Sequence, residues 1–228
     1  MHSISIPAAA DAAAADAAAA DAAAAAAAAP TRMVWLPGAY HTAQDFLTAG
    51  FADAVQARRL NLDLIFVDLE LAHVGDRGVL TQLRSDIVLP ARSAGVSLWL
   101  CGISLGGLIA LDYAASYPDE LAGLCLLAPY LGNRILTAEI AQAPGLAAWQ
   151  PGELAETDEE RRIWRYIKAR RADARPLYLG FGEGDRFSAA HKLLAGTLPV
   201  TAVNAIAGGH EWATWSRLWE NFLDSQFN

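Results

Sequence analysis

Residues 98–109 constrain the fold of this chain more than any other segment. They read Leu-Trp-Leu-Cys-Gly-Ile-Ser-Leu-Gly-Gly-Leu-Ile, an apolar strand pattern that leads through Gly102-x-Ser104-x-Gly106 into a helical pattern. A turn this tight forces Ser104 into a strained backbone conformation, and a side chain at Gly102 or Gly106 would collide with the neighbouring strand or helix. The pattern therefore predicts a strand, a sharp turn and a helix in immediate succession, with the serine hydroxyl raised above the edge of a sheet.

The chain from Thr31 onward predicts a parallel sheet covered by helices. Short apolar runs alternate there with segments of helical spacing, and strands that are apolar on both faces form parallel sheets with helices on each side. The predicted strands are 33–36, 64–69, 96–101, 121–128, 176–180 and 200–206. The predicted helices include 44–59, 79–93 with a bend at Pro90, 105–117 and 210–222. We therefore expect an α/β domain with a mostly parallel sheet of about six strands.

The chain divides into a biased N-terminal segment and one domain. Residues 7–29 repeat Asp-Ala-Ala-Ala-Ala with drift, and alanine buries too little surface to offset the entropy of ordering. We expect 1–30 to be an Ala-rich, disordered tail without the features of a signal peptide or a membrane span. Residues 31–228 form the domain, and 130–175 interrupts its alternation as a small lid over the site.

The charge and cysteine content limit which partners and cofactors we expect. The formal net charge is -8, and an acidic surface repels phosphate backbones, so we expect no nucleic-acid partner. Cys101 and Cys125 both lie in apolar strand-like runs, with no spacing typical of a metal site or a disulfide framework. Buried free thiols suit a reducing cytoplasm. The sequence thus predicts a cytoplasmic protein without a metal or cofactor, and it leaves the oligomeric state open.

A serine in such a turn needs a base, because its hydroxyl is a weak nucleophile at neutral pH. His210 is the best candidate among the five histidines, since Ile206-Ala207-Gly208-Gly209-His210 places it on a glycine-rich loop after the last predicted strand. His41 is closer to the expected site than the other three, yet it follows the first predicted strand. A helix-capping role for His210 is the structural alternative.

An imidazole base needs a carboxylate that fixes its tautomer. The loop after strand 176–180 offers Glu183 and Asp185, and we favour Asp185 because it lies deeper in the loop between turn residues. A simple turn aspartate is the alternative. The chain order Ser104, Asp185, His210 is the order expected for a serine on this kind of turn.

Two backbone amides are candidates for stabilising negative charge on a substrate oxygen. The turn Pro37-Gly38 directs the amide of Ala39 into the site, and the amide of Leu105 at the start of the helix is its expected partner. Tyr40 and Trp212 are the candidate substrate contacts. Trp212 is the tryptophan of the last helix that we expect beside the base, whereas the other two belong to the core.

The turn around Ser104 and the Gly-Gly-His loop make the chain resemble the α/β-hydrolase superfamily over residues 31–227. That resemblance implies an eight-stranded sheet, a Ser-Asp-His triad and hydrolysis of esters, thioesters or related acyl bonds. The sequence departs from the family in two places. Only the Ala-rich segment precedes Met33, so the first antiparallel strands are expected to be absent, which leaves a six-stranded minimal core. Pro37-Gly38 stands where the family usually has His-Gly.

The leading hypothesis is a metal-free serine hydrolase that cleaves a small carboxylic ester through an acyl-enzyme on Ser104. A thioesterase acting on acyl-coenzyme A or carrier-bound acyl groups is the nearest alternative. A basic helix inside the expected lid would favour it, although such a run is more often a solvated face. A ligand-binding protein that has lost catalysis is the alternative from another class. The basic residues of that helix are Arg161, Arg162, Arg165, Lys168, Arg170 and Arg171.

Overall fold

The computed structural model describes residues 1–8, 31–69, 77–143, 145–155, 157–170 and 175–227. They contain one seven-stranded sheet in the order β1-β3-β2-β4-β5-β6-β7. Its strands are β1 Ser3–Ile6, β2 Thr31–Leu36, β3 Leu62–Val67, β4 Leu98–Ile103, β5 Gly123–Leu127, β6 Leu177–Gly182 and β7 Val203–Ile206. All neighbouring pairs are parallel except β1 with β3. The predicted α/β class and its mostly parallel sheet are confirmed.

Helices cover both faces of this sheet. They are α1 Ala43–Thr48, α2 Phe51–Ala57, α3 Gly78–Leu83, α4 Leu89–Ser93, α5 Leu105–Ser116, α6 Arg134–Gln142, α7 Glu159–Ala169, α8 Ser188–Ala195 and α9 Trp212–Gln226. A π-helical turn, Arg84–Val88, joins α3 to α4. Within the described part of the chain, none of the helices combines the length and the apolar character needed to cross a bilayer.

The edge strand β1 corrects the sequence prediction. It lies inside the segment expected to be tail, and it pairs antiparallel with β3 from Ser3 opposite Val67 to Ile6 opposite Leu64. The run Ser-Ile-Ser-Ile alternates polar and apolar residues, and Ile4 and Ile6 pack on the core beside β3. The sheet therefore has seven strands and not six. The expected disorder of residues 9–30 lies outside the described residues.

Two predicted helices are not single regular α-helices. The segment predicted as 44–59 forms α1 and α2, which are separated at Gly50, where φ is 79°. A left-handed residue cannot continue an α-helix, so the chain changes direction there. The segment predicted as 79–93 is continuous but contains the π-helical turn just before Pro90. Proline has no N–H to donate back along the helix, and a π turn is a common way to accommodate that loss.

The core consists of two apolar layers, one on each face of the sheet. Alternation along β2 sends Val34 and Leu36 to one layer and Met33 and Trp35 to the other. The first layer packs against α3, α5, α7 and α8, whereas the second packs against α1, α2 and α9 and is rich in aromatic rings. Both cysteines are free and buried in the sheet, as predicted. The cytoplasmic location inferred from them stays a prediction.

Candidate active site

Ser104 occupies the sharp turn between β4 and α5. Its backbone has φ 51° and ψ -113°, a combination that L-residues rarely adopt. A methyl group on Gly102 would lie 2.3 Å from the carbonyl carbon of Gly106, and one on Gly106 would lie 2.1 Å from the carbonyl oxygen of Leu36. Neither position accepts a side chain. The two glycines therefore make the turn predictable from the sequence.

The strained turn is held by backbone hydrogen bonds on both of its peptide groups. The N–H of Ser104 donates to Leu127 over 3.2 Å, which ties the turn to the end of β5. The carbonyl oxygen of Ser104 accepts from Gly107 at 3.0 Å, from Leu108 at 3.3 Å and from Tyr130 at 2.8 Å. These bonds offset the conformational strain and fix where the hydroxyl stands.

The three candidate catalytic side chains meet at the carboxyl edge of the sheet. The Oγ of Ser104 lies 2.9 Å from Nε2 of His210, and Nδ1 of His210 lies 2.7 Å from Oδ2 of Asp185. They come from the turn after β4, the loop after β7 and the loop after β6. A carboxylate can only accept from Nδ1–H, so this arrangement leaves Nε2 of the neutral ring to accept the serine proton.

Asp185 is held as an ionised, buried acceptor. Its side chain is buried, and its second oxygen, Oδ1, accepts from the backbone N–H of Phe187 at 2.8 Å. Burial on its own would raise the pKa of Asp185, but the hydrogen bonds from His210 and from Phe187 hold that pKa below its ordinary value. Glu183, the alternative acid, is exposed. The structure therefore brings Asp185, not Glu183, to the histidine.

Two aromatic rings hold the His210 imidazole between them. Phe187 lies 5.2 Å from the imidazole at an interplanar angle of 83°, and Trp215 lies 5.1 Å from it at 88°. The expectation that Trp212 is the tryptophan beside the base is wrong, because the start of α9 turns Trp215 toward His210. Trp212 instead packs against His41 and Phe46, at 5.1 and 5.4 Å, so its contact with substrate stays a prediction.

The loop after β2 lies against the serine. A methyl group on Gly38 would approach Cβ of Ser104 to 3.4 Å, so the chain passes the nucleophile closely. In the parts of the chain that the structure describes, the N–H groups of Ala39 and Leu105 donate no hydrogen bond. Tyr40 follows with φ 66° and is 89% exposed at this rim. Its contact with substrate likewise stays a prediction.

His41 is a neighbour of the site, although its place in the sequence favours it less than His210 as the base. A methyl group on Gly38 would lie 3.1 Å from its Nδ1, and that nitrogen is buried without a hydrogen-bond partner in the described structure. Its ring packs on Trp212 and Trp215. The sequence signal was a histidine three residues after a Pro-Gly turn, but nothing in the pattern shows which way its ring points.

Three basic residues of the helix in the expected lid are bonded within the protein. Arg161 pairs with Glu139 at 2.6 Å and with Asp158 at 3.2 Å, and Arg162 pairs with the buried Asp112 at 2.7 Å. Lys168 donates to the carbonyl oxygen of Trp149. These groups hold α7 against α5 and α6. The paired basic residues therefore stabilise the packing of the helix. The described residues contain no cluster of three or more histidine, cysteine or acidic groups arranged to hold a metal ion.

Similarity to known proteins supports the α/β-hydrolase fold and the assignment as a hydrolase. The family model described as serine aminopeptidase, S33, matches residues 81–173, a span that includes Ser104. No curated protein sequence matches the chain. The fluorophosphonate-binding serine hydrolase F of Staphylococcus aureus superposes with a TM-score of 0.63 at 12% identity, over 87% of this chain and 84% of that one.

Two further solved structures have the same fold. The S-formylglutathione hydrolase of Staphylococcus aureus gives a TM-score of 0.59 at 14% identity, over 87% of this chain and 82% of that one. The monoacylglycerol lipase of Paleococcus ferrophilus gives 0.56 at 16% identity, over 86% and 96%. With the family match over 81–173 and the turn around Ser104, these likenesses confirm the α/β-hydrolase fold that the sequence resembles and support its assignment as a hydrolase.

Proposed function

We propose that the protein cleaves a carboxylic ester of a small molecule, with Ser104 as nucleophile, His210 as general base and Asp185 as the group that orients it. The observation that carries this proposal is the unbroken chain of hydrogen bonds from Ser104 Oγ through both ring nitrogens of His210 to Asp185, at 2.9 and 2.7 Å. Such a chain delivers the serine proton to the imidazole as the Oγ attacks.

In the first half of the reaction, Oγ of Ser104 attacks the ester carbonyl carbon while Nε2 of His210 takes the hydroxyl proton. The resulting imidazolium is stabilised by the ionised Asp185. The tetrahedral oxyanion accepts hydrogen bonds from the N–H groups of Ala39 and Leu105, each lowering the barrier by on the order of 3 kcal/mol. His210 then gives its proton to the leaving alkoxide, the ester C–O bond breaks, and an acyl-enzyme remains on Ser104.

In the second half, water replaces the alcohol. His210 removes a proton from the water as its oxygen attacks the acyl carbonyl, and the same two amides again stabilise the oxyanion. Collapse of this intermediate breaks the bond to Ser104, whose Oγ recovers the proton from His210, and the acid leaves. The rings of Phe187 and Trp215 limit the imidazole to the plane in which both nitrogens face their partners.

Covalent labelling tests this proposal directly. A fluorophosphonate probe is expected to modify wild-type protein at one residue, Ser104, as read by peptide mass spectrometry. Ser104→Ala should abolish the labelling, and Asp185→Asn should slow p-nitrophenyl acetate hydrolysis by about 10³- to 10⁴-fold. Ser188→Ala is the matched control, because that serine is outside the hydrogen-bonded chain. Failure of the probe to label intact, folded protein would instead favour a non-catalytic ligand-binding role.

A thioester is the second candidate substrate. Its support is the fold shared with S-formylglutathione hydrolases, since S-formylglutathione is a thioester. The basic helix that favoured a coenzyme A thioester from the sequence gives less support, because Arg161 and Arg162 are already paired with acids. A panel of acyl-coenzyme A thioesters and p-nitrophenyl esters of equal acyl length would rank the two classes by kcat/KM.

A further inference from the structure

A cavity of about 630 Å³ lies between α6 and α8, beside the proposed catalytic residues. Two of its wall residues connect it to them. Phe187 packs on the ring of His210 at 5.2 Å, and the N–H of Tyr130 donates to the carbonyl oxygen of Ser104 at 2.8 Å. Their rings also contact each other, at 5.4 Å. A substrate bound at Ser104 can therefore extend one of its halves into this cavity.

The body of the cavity is apolar and lined by small side chains. Alanines 138 and 141 come from α6, and Ala190 and Leu193 come from α8. Small residues on two facing helices leave space between them for a short methylene chain. The segment 130–175, expected to act as a lid, supplies the α6 wall.

Two arginines at the mouth of the cavity carry charges that the described protein does not neutralise. Arg134 is the first residue of α6 and Arg186 lies in the loop before α8; both are exposed, and neither has a carboxylate partner among the described residues. The guanidinium of Arg186 lies over the Phe187 ring, 4.8 Å from its centre. The chain has a net charge of -8, yet two guanidinium groups without a carboxylate partner among the described residues line this one cavity.

The carboxylate of Glu160, which bonds two residues of the cavity wall, already accepts from other donors. Glu160 accepts from the hydroxyl of Tyr130 at 2.9 Å, and from the backbone and side-chain nitrogens of Asn133 at 3.0 and 2.7 Å. Burial and this hydrogen bond raise the pKa of Tyr130 to about 12, so its hydroxyl stays a donor to Glu160. Glu160 thus orders the cavity wall and leaves the two arginines for a ligand.

We propose that the substrate is an anionic ester, whose carboxylate or phosphate-type group is bound by Arg134 and Arg186 while the chain between that group and the ester lies in the cavity. This inference rests on the proposed function and names its substrate class. A guanidinium donates two parallel hydrogen bonds to either kind of anion, which gives both affinity and orientation.

Matched substrates test the inference. The p-nitrophenyl monoester of adipic acid is compared with the same compound methylated on its free carboxylate, and with a phosphonate-terminated analogue of equal length. We expect wild-type kcat/KM to favour an anionic ester over the neutral one by about tenfold or more, because hydrogen bonds to charged groups are worth that much. Whichever anionic ester is preferred identifies the natural group as a carboxylate or a phosphate.

The variant R134Q/R186Q should reduce the anionic-to-neutral ratio at least tenfold, whereas Arg217→Gln, an exposed arginine of α9, should leave the ratio unchanged. Using the ratio removes any general effect of the substitutions on folding or on His210. A wild-type ratio near one, or a ratio that the double variant does not change, would overturn the inference.

Direct binding separates this inference from the proposed reaction. Calorimetry with adipate and with hexanoate, which lacks the second carboxylate, measures anion recognition without turnover. Adipate should bind wild-type protein and not R134Q/R186Q, and no binding of adipate would count against the anion site. If Ser104 is unlabelled by fluorophosphonate while adipate binds, the reaction is wrong and the anion site stands. If Ser104 is labelled but the protein shows no preference for anionic esters, the proposed reaction stands and the anion site is wrong.

Discussion

At position 106, helix α5 begins in contact with the end of strand β2. A methyl group on Gly106 would approach the carbonyl oxygen of Leu36 to 2.1 Å. Because that oxygen belongs to the backbone of a central strand, it cannot move aside as a side chain could. A hydrogen atom in place of a methyl group at this position is what lets α5 begin directly after Ser104, beside the end of β2.

Gly106→Ala is therefore expected to lower the free energy of unfolding by about 3 kcal/mol and to abolish labelling of Ser104 by fluorophosphonate. Urea titration followed by circular dichroism measures the first effect. Gly196→Ala is the control, because its nearest neighbours stand at 3.5 and 3.6 Å and its φ is negative, so its change should stay within about 0.5 kcal/mol. Equal effects of the two substitutions would contradict this account of the turn.

The residues of the candidate site differ in how far the sequence could identify them. Ser104 sits in a motif typical of one kind of sharp turn, and Asp185 and His210 follow the parallel strands β6 and β7, so topology brings the three to one edge. Which side chains contact His210 depends instead on the residue at which α9 begins, because this sets the direction in which each of its side chains points. Helix spacing places Trp212 and Trp215 on one face, but it does not decide which of them reaches the imidazole.

At the scale of elements, strand β1 completes the sheet next to β3. Its alternating Ser-Ile-Ser-Ile run is too short for periodicity to distinguish from chance, and it precedes an alanine-rich stretch that dominates any reading of that region. Ile4 and Ile6 nevertheless contribute to the aromatic layer under α1 and α2. The other strands are apolar runs and several helices have regular helical spacing, which made them predictable, whereas α6 was not predicted.

Ile4→Ser should lower the free energy of unfolding by about 1 kcal/mol, because Ile4 is half-buried against that layer. Ser5→Thr, on the exposed side of the same strand, should change it by less than about 0.5 kcal/mol. Chemical denaturation of both variants measures the difference. A strand that is not part of the folded sheet would give two values indistinguishable from wild type.

At the scale of the whole molecule, the carboxylate of Glu120 joins distant segments of the chain and makes the free energy of unfolding sensitive to acid. Glu120, between α5 and β5, accepts from the guanidinium of Arg84 in the π-helical turn at 2.8 and 3.0 Å and from the hydroxyl of Tyr113 in α5 at 2.7 Å. The hydrogen bond from Arg84 is the main cause that holds the pKa of Glu120 below its ordinary 4.5. Its ionised form therefore stabilises the native state.

The stabilisation by Glu120 is complete above its unfolded-state pKa and disappears as the pH falls through the lower folded-state value. The loss of unfolding free energy in Glu120→Gln should therefore be greatest at neutral pH and should shrink below pH 4.5. Urea titrations of both proteins at neutral pH and at successive acidic values measure this. Glu153→Gln is the control, because that carboxylate is exposed. A Glu120→Gln effect that is independent of pH would show that the carboxylate charge is not what stabilises.

The turn 183–187 holds Asp185, which we propose orients the base, Phe187, which packs on the imidazole, and Arg186, which lines the cavity. A designer who reshapes that side of the pocket will disturb the reactivity of the enzyme along with its selectivity. The opposite wall, on α6, has no such link to the imidazole. Altered selectivity with intact turnover is therefore best sought there, by varying Arg134 and Thr137.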